Sequence, residues 1–204
     1  MSIDTRVWRA AFGRRSRVDR CPVGTVGATV VSVGETCDVS VALYPGSFDP
    51  IHVGHLAVIE QAARHYDKVV VAVVTNPAKA GFLTVARRVD LVQAAIAHLD
   101  NVGCASHHGL TVDAARAENA DVIVRGAGKE WAFEMSMAAL NKQMTHIETV
   151  MIPASPETRW VSSTTIRTLA NAGHVDDLRG LVPAPVFAAL CDDPEDRTNR
   201  QRSR

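Results

Sequence analysis

From residue 39 onward the chain alternates between two hydrophobic rhythms. Short apolar runs closed by Gly, Pro or Asn read as buried strands. Longer stretches with apolar residues every three or four positions read as helices. The first run, through Val39, Val41 and Leu43, stops at Pro45-Gly46. The second, Lys68 to Thr75, is apolar throughout its interior, as a parallel strand covered on both faces requires, and it ends at Asn76-Pro77. Val102 to Ala105, Asp121 to Val124 and Thr149 to Ile152 are three further short strands. Between them the helical period runs from Val53 through Leu56, Ile59 and Ala63. It resumes after a Thr84 cap through Val85, Val89, Val92, Ile96 and Leu99. Leu110 to Glu118 predicts a short helix, Trp131 to Met144 a long one, and Ser162 to Ala172 another, with Gly173 as the residue that follows its end. Two short helices near Val175 and Val186 close the series.

Alternating strands and helices with fully apolar strands predict an α/β fold: a doubly wound, five-stranded parallel sheet. Residues 1–38 carry no sustained period and are expected to form a flexible or irregular N-terminal extension. Residues 39–191 form the domain, and 192–204 are expected to be a disordered, charged tail. The chain has 204 residues, 22 basic and 22 acidic, so no net field draws it to nucleic acid or to a membrane surface. No apolar run approaches the roughly 20 residues that span a bilayer. Cys21, Cys37, Cys104 and Cys191 show no metal-binding spacing, and they read as reduced thiols of a cytoplasmic protein.

In a doubly wound sheet the ligand sits beyond the carboxyl ends of the strands, so the chemistry is sought there. After the first strand come Pro45-Gly-Ser-Phe-Asp-Pro-Ile-His-Val-Gly-His55, a glycine turn into a helix start with two imidazoles three residues apart. Free backbone N–H groups and the helix dipole make this an anion site, and a metal reading lacks a third ligand. Lys79 follows the second strand and is either a solvated loop lysine or a phosphate ligand. Arg125 follows the fourth strand and is either a phosphate ligand or a salt-bridge partner for a helix; the adjacent Gly126 favours the first. Glu134 is a solvent-face residue, a ribose ligand or a residue that orients a base. Trp160-Val-Ser-Ser-Thr-Thr165 places more hydroxyls at a helix start than a cap requires. A site with this many phosphate ligands and no nucleophile suits direct nucleotidyl transfer. There an ionised phosphate monoester attacks the α-phosphate of a nucleotide, and the protein supplies alignment and charge stabilisation.

These residues resemble the HxGH/TxGH nucleotidyltransferase superfamily, of Rossmann-like fold, and more closely the bacterial pantetheine-phosphate adenylyltransferases. The resemblance rests on Tyr44-Pro-Gly-Ser-Phe-Asp-Pro-Ile-His-Val-Gly-His55, Asn76-Pro-Ala-Lys79, Gly109-Leu-Thr-Val-Asp113, Val124-Arg-Gly126, Phe133-Glu-Met135 and Val161-Ser-Ser-Thr164. It implies that ATP and 4′-phosphopantetheine give dephospho-CoA and pyrophosphate, with Mg²⁺ on the ATP phosphates and no metal ligand from the protein. It implies that His55 stabilises the pentacoordinate α-phosphate, that Lys79 and Arg125 hold the attacking phosphate and that Thr111 lies along the pantetheine arm. Ser47 would meet both substrates. Phe48, His52, Gly126, Ala127, Gly128 and Glu134 would surround ATP, as would Thr158, Arg159, Trp160, Val161, Ser162, Ser163 and Thr164. A cytoplasmic homohexamer is the family's usual form. The chain departs from the family at Gly128, where a second arginine is usual, and in a shorter loop before Phe133-Glu134. That departure motivates two alternatives. One is a sister enzyme acting on nicotinate mononucleotide or glycerol 3-phosphate. The other is a weakened paralogue that binds nucleotide or CoA.

Overall fold

The computed structural model describes residues 39–75, 81–127, 131–153 and 156–192. The expectations for residues 1–38 and for the tail after Asp192 lie outside them. Five strands, Val41–Gly46 (β1), Lys68–Thr75 (β2), Val102–His108 (β3), Val122–Ala127 (β4) and Glu148–Pro153 (β5), form one sheet. All its pairings are parallel, in the order β3-β2-β1-β4-β5. Helices Val53–His65 (α1), Val85–Ile96 (α2), Thr111–Ala117 (α3), Trp131–Thr145 (α4), Ser163–Asn171 (α5) and Ala184–Asp192 (α6) accompany it, with a 3₁₀ turn at Asp176–Leu178. The doubly wound α/β fold expected from the hydrophobic pattern is therefore present.

The two central strands explain the pattern. Val69 to Val73 of β2 and Ala42 to Tyr44 of β1 are buried, since helices cover both faces of the sheet. Burial of each such Val or Leu side chain stabilises the fold by about 1.5–3 kcal/mol relative to exposure. β3 runs three residues further than the apolar run indicated. Ser106, His107 and His108 continue the ladder opposite Val73, Val74 and Thr75. Being polar and at a sheet edge, they break the hydrophobic rhythm without breaking the hydrogen bonds. α2 stops at Ile96 rather than Leu99, whose N–H returns to the Ile96 carbonyl in a turn. Gly173 has φ +85°, the conformation expected of the residue after the α5 cap. No helix among the described residues is long and apolar enough to cross a membrane.

Sheet topology locates the crevice. Strand order reverses between β1 and β4, the switch point at which such sheets bind ligands. β1 pairs with β2 over six residues, but with β4 only through Ala42–Val122 and Leu43–Ile123. Beyond Leu43 the two strands are no longer paired with each other, and the crevice opens at their carboxyl ends.

Candidate active site

A cavity of about 390 Å³ lies at that switch point. It is lined by Tyr44 to Phe48 from the end of β1, by His52, Gly54, His55 and Val58 from the start of α1, and by Arg125, Gly126, Glu134, Thr158, Arg159 and Val161.

The two histidines have different tasks. His52 is the N-cap of α1. Its Nδ1 accepts from the N–H groups of Gly54 at 3.1 Å and His55 at 3.3 Å, satisfying two donors that the helix start leaves free. Gly54 makes this possible, since a Cβ there would lie 3.0 Å from His52 Cε1. In return, the N–H of His52 donates to Nδ1 of His55 at 3.4 Å, which completes a capping box built from imidazoles. The rings stack with centroids 3.7 Å apart. Because Nδ1 accepts in both rings, the network assigns the proton of each neutral imidazole to Nε2. Burial lowers the His52 pKa to about 4. Burial, His52 and Arg125 together hold His55 well below the ordinary imidazole range. At neutral pH both rings are therefore uncharged, and His55 can offer an anion an Nε2–H donor.

Arg125 and Arg159 bring positive charge to the cavity, and Arg125 is the one held in a network. Its Nε and Nη2 donate to the two carboxylate oxygens of Glu134 at 2.6 and 2.7 Å, and its Nη1 donates to the Pro45 carbonyl at 3.0 Å. Burial would lower the Arg125 pKa, but the hydrogen bond and charge of Glu134 outweigh it and raise it. The phenol of Tyr44 borders the pair. Burial raises its pKa against the pull of Arg125, so it stays protonated. The Tyr44 ring meets Phe48 edge-on at 5.5 Å, and Phe48 meets His55 edge-on at 5.0 Å. Gly46 leaves room for this, since a Cβ there would lie 2.9 Å from Phe48 Cζ. Cys104 lies outside the cavity; burial and the nearby Asp90 push its thiol up to about 12, which keeps it protonated and unreactive. Among the described residues no group of three or more His, Cys, Asp or Glu side chains is placed to hold a metal ion.

Comparison with known proteins bears on this arrangement. The sequence profile of the family described as cytidylyltransferase-like matches residues 43–169, more than half of the chain. The phosphopantetheine adenylyltransferase of Gloeobacter violaceus is 47% identical over 136 residues, 65% of this chain and 84% of the relative. That of Clostridium perfringens is 38% identical over 153 residues, 74% of this chain and 92% of the relative. The chain belongs to the cytidylyltransferase-like family and groups with its phosphopantetheine adenylyltransferases. A bifunctional NMN adenylyltransferase/ADP ribose pyrophosphatase from Francisella tularensis shares the fold, with a TM-score of 0.62 at 13% identity, over 79% of this chain and 52% of that one.

Within this cytidylyltransferase-like fold, Ser47, Phe48, His52, His55, Arg125, Gly126 and Glu134 meet around one cavity, as do Thr158, Arg159 and Val161. The hydroxyl of Thr158 is buried without a hydrogen-bond partner, which leaves a donor for a ligand. Other expected residues are engaged elsewhere. Ser162 Oγ caps α5 by accepting from the Thr165 N–H and pairs with the Thr165 hydroxyl. Ser163 Oγ donates to the Pro50 carbonyl, and Thr164 Oγ1 accepts from Arg167. The surplus of hydroxyls thus ties α5 to the β1–α1 turn and to its own side chains. Trp160 is exposed, and neither it, Ala127 nor Thr111 lines the cavity. Lys79 and Gly128 lie outside the described residues. Arg125 pairs with Glu134 and also lines the cavity, so the salt bridge leaves it placed to meet a ligand, and Glu134 orients this basic residue. Sequence reasoning passed over Tyr44. The signal was present, since Tyr44 is a polar-tipped aromatic at the last strand position before Pro45-Gly46.

Proposed function

We propose that this chain transfers the adenylyl group of ATP to 4′-phosphopantetheine, giving dephospho-CoA and pyrophosphate. The observation that carries the reading is that His55 and Arg125 line one cavity at the switch point of a fold whose curated relatives are phosphopantetheine adenylyltransferases. The acceptor phosphate is already ionised and needs no general base. Its oxygen attacks the α-phosphorus in line, that P–O bond forms as the bond to pyrophosphate breaks, and the protein supplies position and charge. His55 Nε2–H donates to an α-phosphate oxygen as negative charge builds in the pentacoordinate state. Arg125, held by Glu134, receives the acceptor phosphate, a role the resemblance gives also to Lys79. The Thr158 hydroxyl, which has no partner in the protein, and the positive end of the α1 dipole receive ATP. Mg²⁺ bound through the ATP phosphates would supply charge neutralisation at the transferred group.

Supply of purified protein with ATP, Mg²⁺ and 4′-phosphopantetheine is expected to release pyrophosphate stoichiometrically with dephospho-CoA. Pyrophosphate release that does not depend on the acceptor would refute the reading. We further read the chain as a cytoplasmic homo-oligomer, hexameric as the resemblance implies. α4 leaves Phe133, Leu140 and Met144 exposed along one stripe and Trp131 and Met135 exposed on its other side, and Val150 on edge strand β5 is exposed as well. An apolar face of this kind suits burial against a second copy.

A further inference from the structure

The β1–α1 turn that carries Ser47 and Phe48 is held from outside the cavity. Phe48 adopts φ +45°, a region a bulky L-residue rarely enters and keeps only where its surroundings impose it. Arginines pin the Ser47–Phe48 peptide group that precedes it and the Asp49–Pro50 peptide group one residue beyond it. Arg88 Nη1 donates to the Ser47 carbonyl at 3.5 Å, and Arg167 Nη1 donates to the Asp49 carbonyl at 2.8 Å. The Asp49 carboxylate accepts from the backbone N–H of Phe82 at 2.7 Å and of Leu83 at 2.8 Å, and it pairs with Arg88 Nε at 3.2 Å. Arg88 closes the ring by donating from Nε and Nη2 to the Leu83 carbonyl. Asp49 and Arg88 are each only 7% exposed, and neither lines the cavity. A buried ion pair is a weak device for stability alone. Here it joins three elements, the β1–α1 turn, the approach to α2 and the start of α5, at the one strained residue whose ring abuts His55.

We propose that Asp49 and Arg88, backed by Arg167, are positioning residues for the transfer: they impose the Phe48 conformation and thereby set the His55 ring against the reacting phosphate. The inference rests on the role given to His55 above. The chain of contact runs from Arg88, Asp49 and Arg167 to the backbone on either side of Phe48, from the Phe48 ring to His55, and from His55 to the ligand. A displacement of about 1 Å at a reacting group costs on the order of 100-fold in rate. Asp49→Asn keeps the size of the side chain but replaces an acceptor with a donor facing the Phe82 or Leu83 N–H. Arg88→Lys keeps the charge and removes the fork.

The test pairs turnover with a readout independent of it. In each variant kcat is expected to fall about 10–100-fold, while KM for ATP changes less than about threefold. The double variant is expected to be no slower than the worse single one, because the pair acts as a unit. In unliganded protein the His55 imidazole NMR signals, assigned by their loss in His55→Gln, are expected to shift in both variants. Should Asp49→Asn not fold, Arg88→Lys carries both readouts. Turnover within twofold of wild type with unmoved His55 signals overturns the proposal. So does a loss of rate that tracks the unfolded fraction in a thermal melt. Absence of turnover in the wild type would count against the function proposed above, whereas unmoved His55 signals would count against the positioning role.

Discussion

Acid sensitivity of the fold should originate at the imidazole cap of α1. Burial lowers His52 from an ordinary pKa of 6.5 to about 4. The unfolded chain therefore binds the proton more readily across that window, and folding is favoured above it. The sign follows directly: this contribution is fully present above pH 6.5 and is lost as the pH falls toward 4. At about 1.4 kcal/mol for each tenfold change in proton activity, the His52 contribution falls by about 2 kcal/mol between pH 7 and pH 5, and by about 3 kcal/mol near pH 4. His52→Asn isolates the effect. Asn is a favoured N-cap, and its Oδ1 can take the place of Nδ1 in accepting from the Gly54 and His55 N–H groups, but it does not titrate. Any fixed loss of ring stacking cancels when one protein is compared at two pH values. Urea unfolding at pH 7 and pH 5 should show the wild-type stability falling by about 2 kcal/mol more than that of the variant. The variant keeps a residual slope, because His55 is displaced in the same direction. Equal losses in the two proteins would refute the account of the cap.

Three further outcomes follow from the geometry. Glu134→Gln halves the acceptor set that Arg125 grips at 2.6 and 2.7 Å and should lower stability by about 1.5–3 kcal/mol in urea unfolding, with the half-buried guanidinium left underpaired. Gly46→Ala places a Cβ against the Phe48 ring and should cost about 1–3 kcal/mol, read as a lower melting temperature, together with a fall in kcat through the Phe48–His55 contact. Phe133→Asp puts a charge into the exposed apolar face of α4 and should shift the protein to a smaller oligomer or a monomer by light scattering; an unchanged mass would place the subunit contact elsewhere.

Elements whose information is local were legible in the sequence. The all-apolar run of β2, the Pro45-Gly46 stop and the Thr84 and Ser162 caps each report on their own neighbourhood, and each lies where the pattern indicated. β3 was read short because its last three residues are polar and are held by the neighbouring strand rather than by their own hydrophobicity. The motif residues of the first turn were legible as a site, but their division of labour was not. Whether a histidine caps a helix or faces a ligand depends on which ring nitrogen meets which N–H. Arg125 and Glu134 are nine residues apart, and only the β4–α4 packing shows that they pair. Asp49 and Arg88 are further apart still. Arg88 left one trace, being a charge three residues after Val85 and one before Val89, on the apolar stripe of α2. A cation on a buried face implies a buried partner, which the sequence does not name.

The most direct test of the proposed reaction is a competition. The protein is given ATP and Mg²⁺ with equal concentrations of 4′-phosphopantetheine, nicotinate mononucleotide and glycerol 3-phosphate, and the adenylylated products are identified by mass. Dephospho-CoA as the dominant product, with its formation sharply reduced in His55→Ala, is the predicted result. A dominant dinucleotide from nicotinate mononucleotide, or an unchanged yield in the His55 variant, would contradict it.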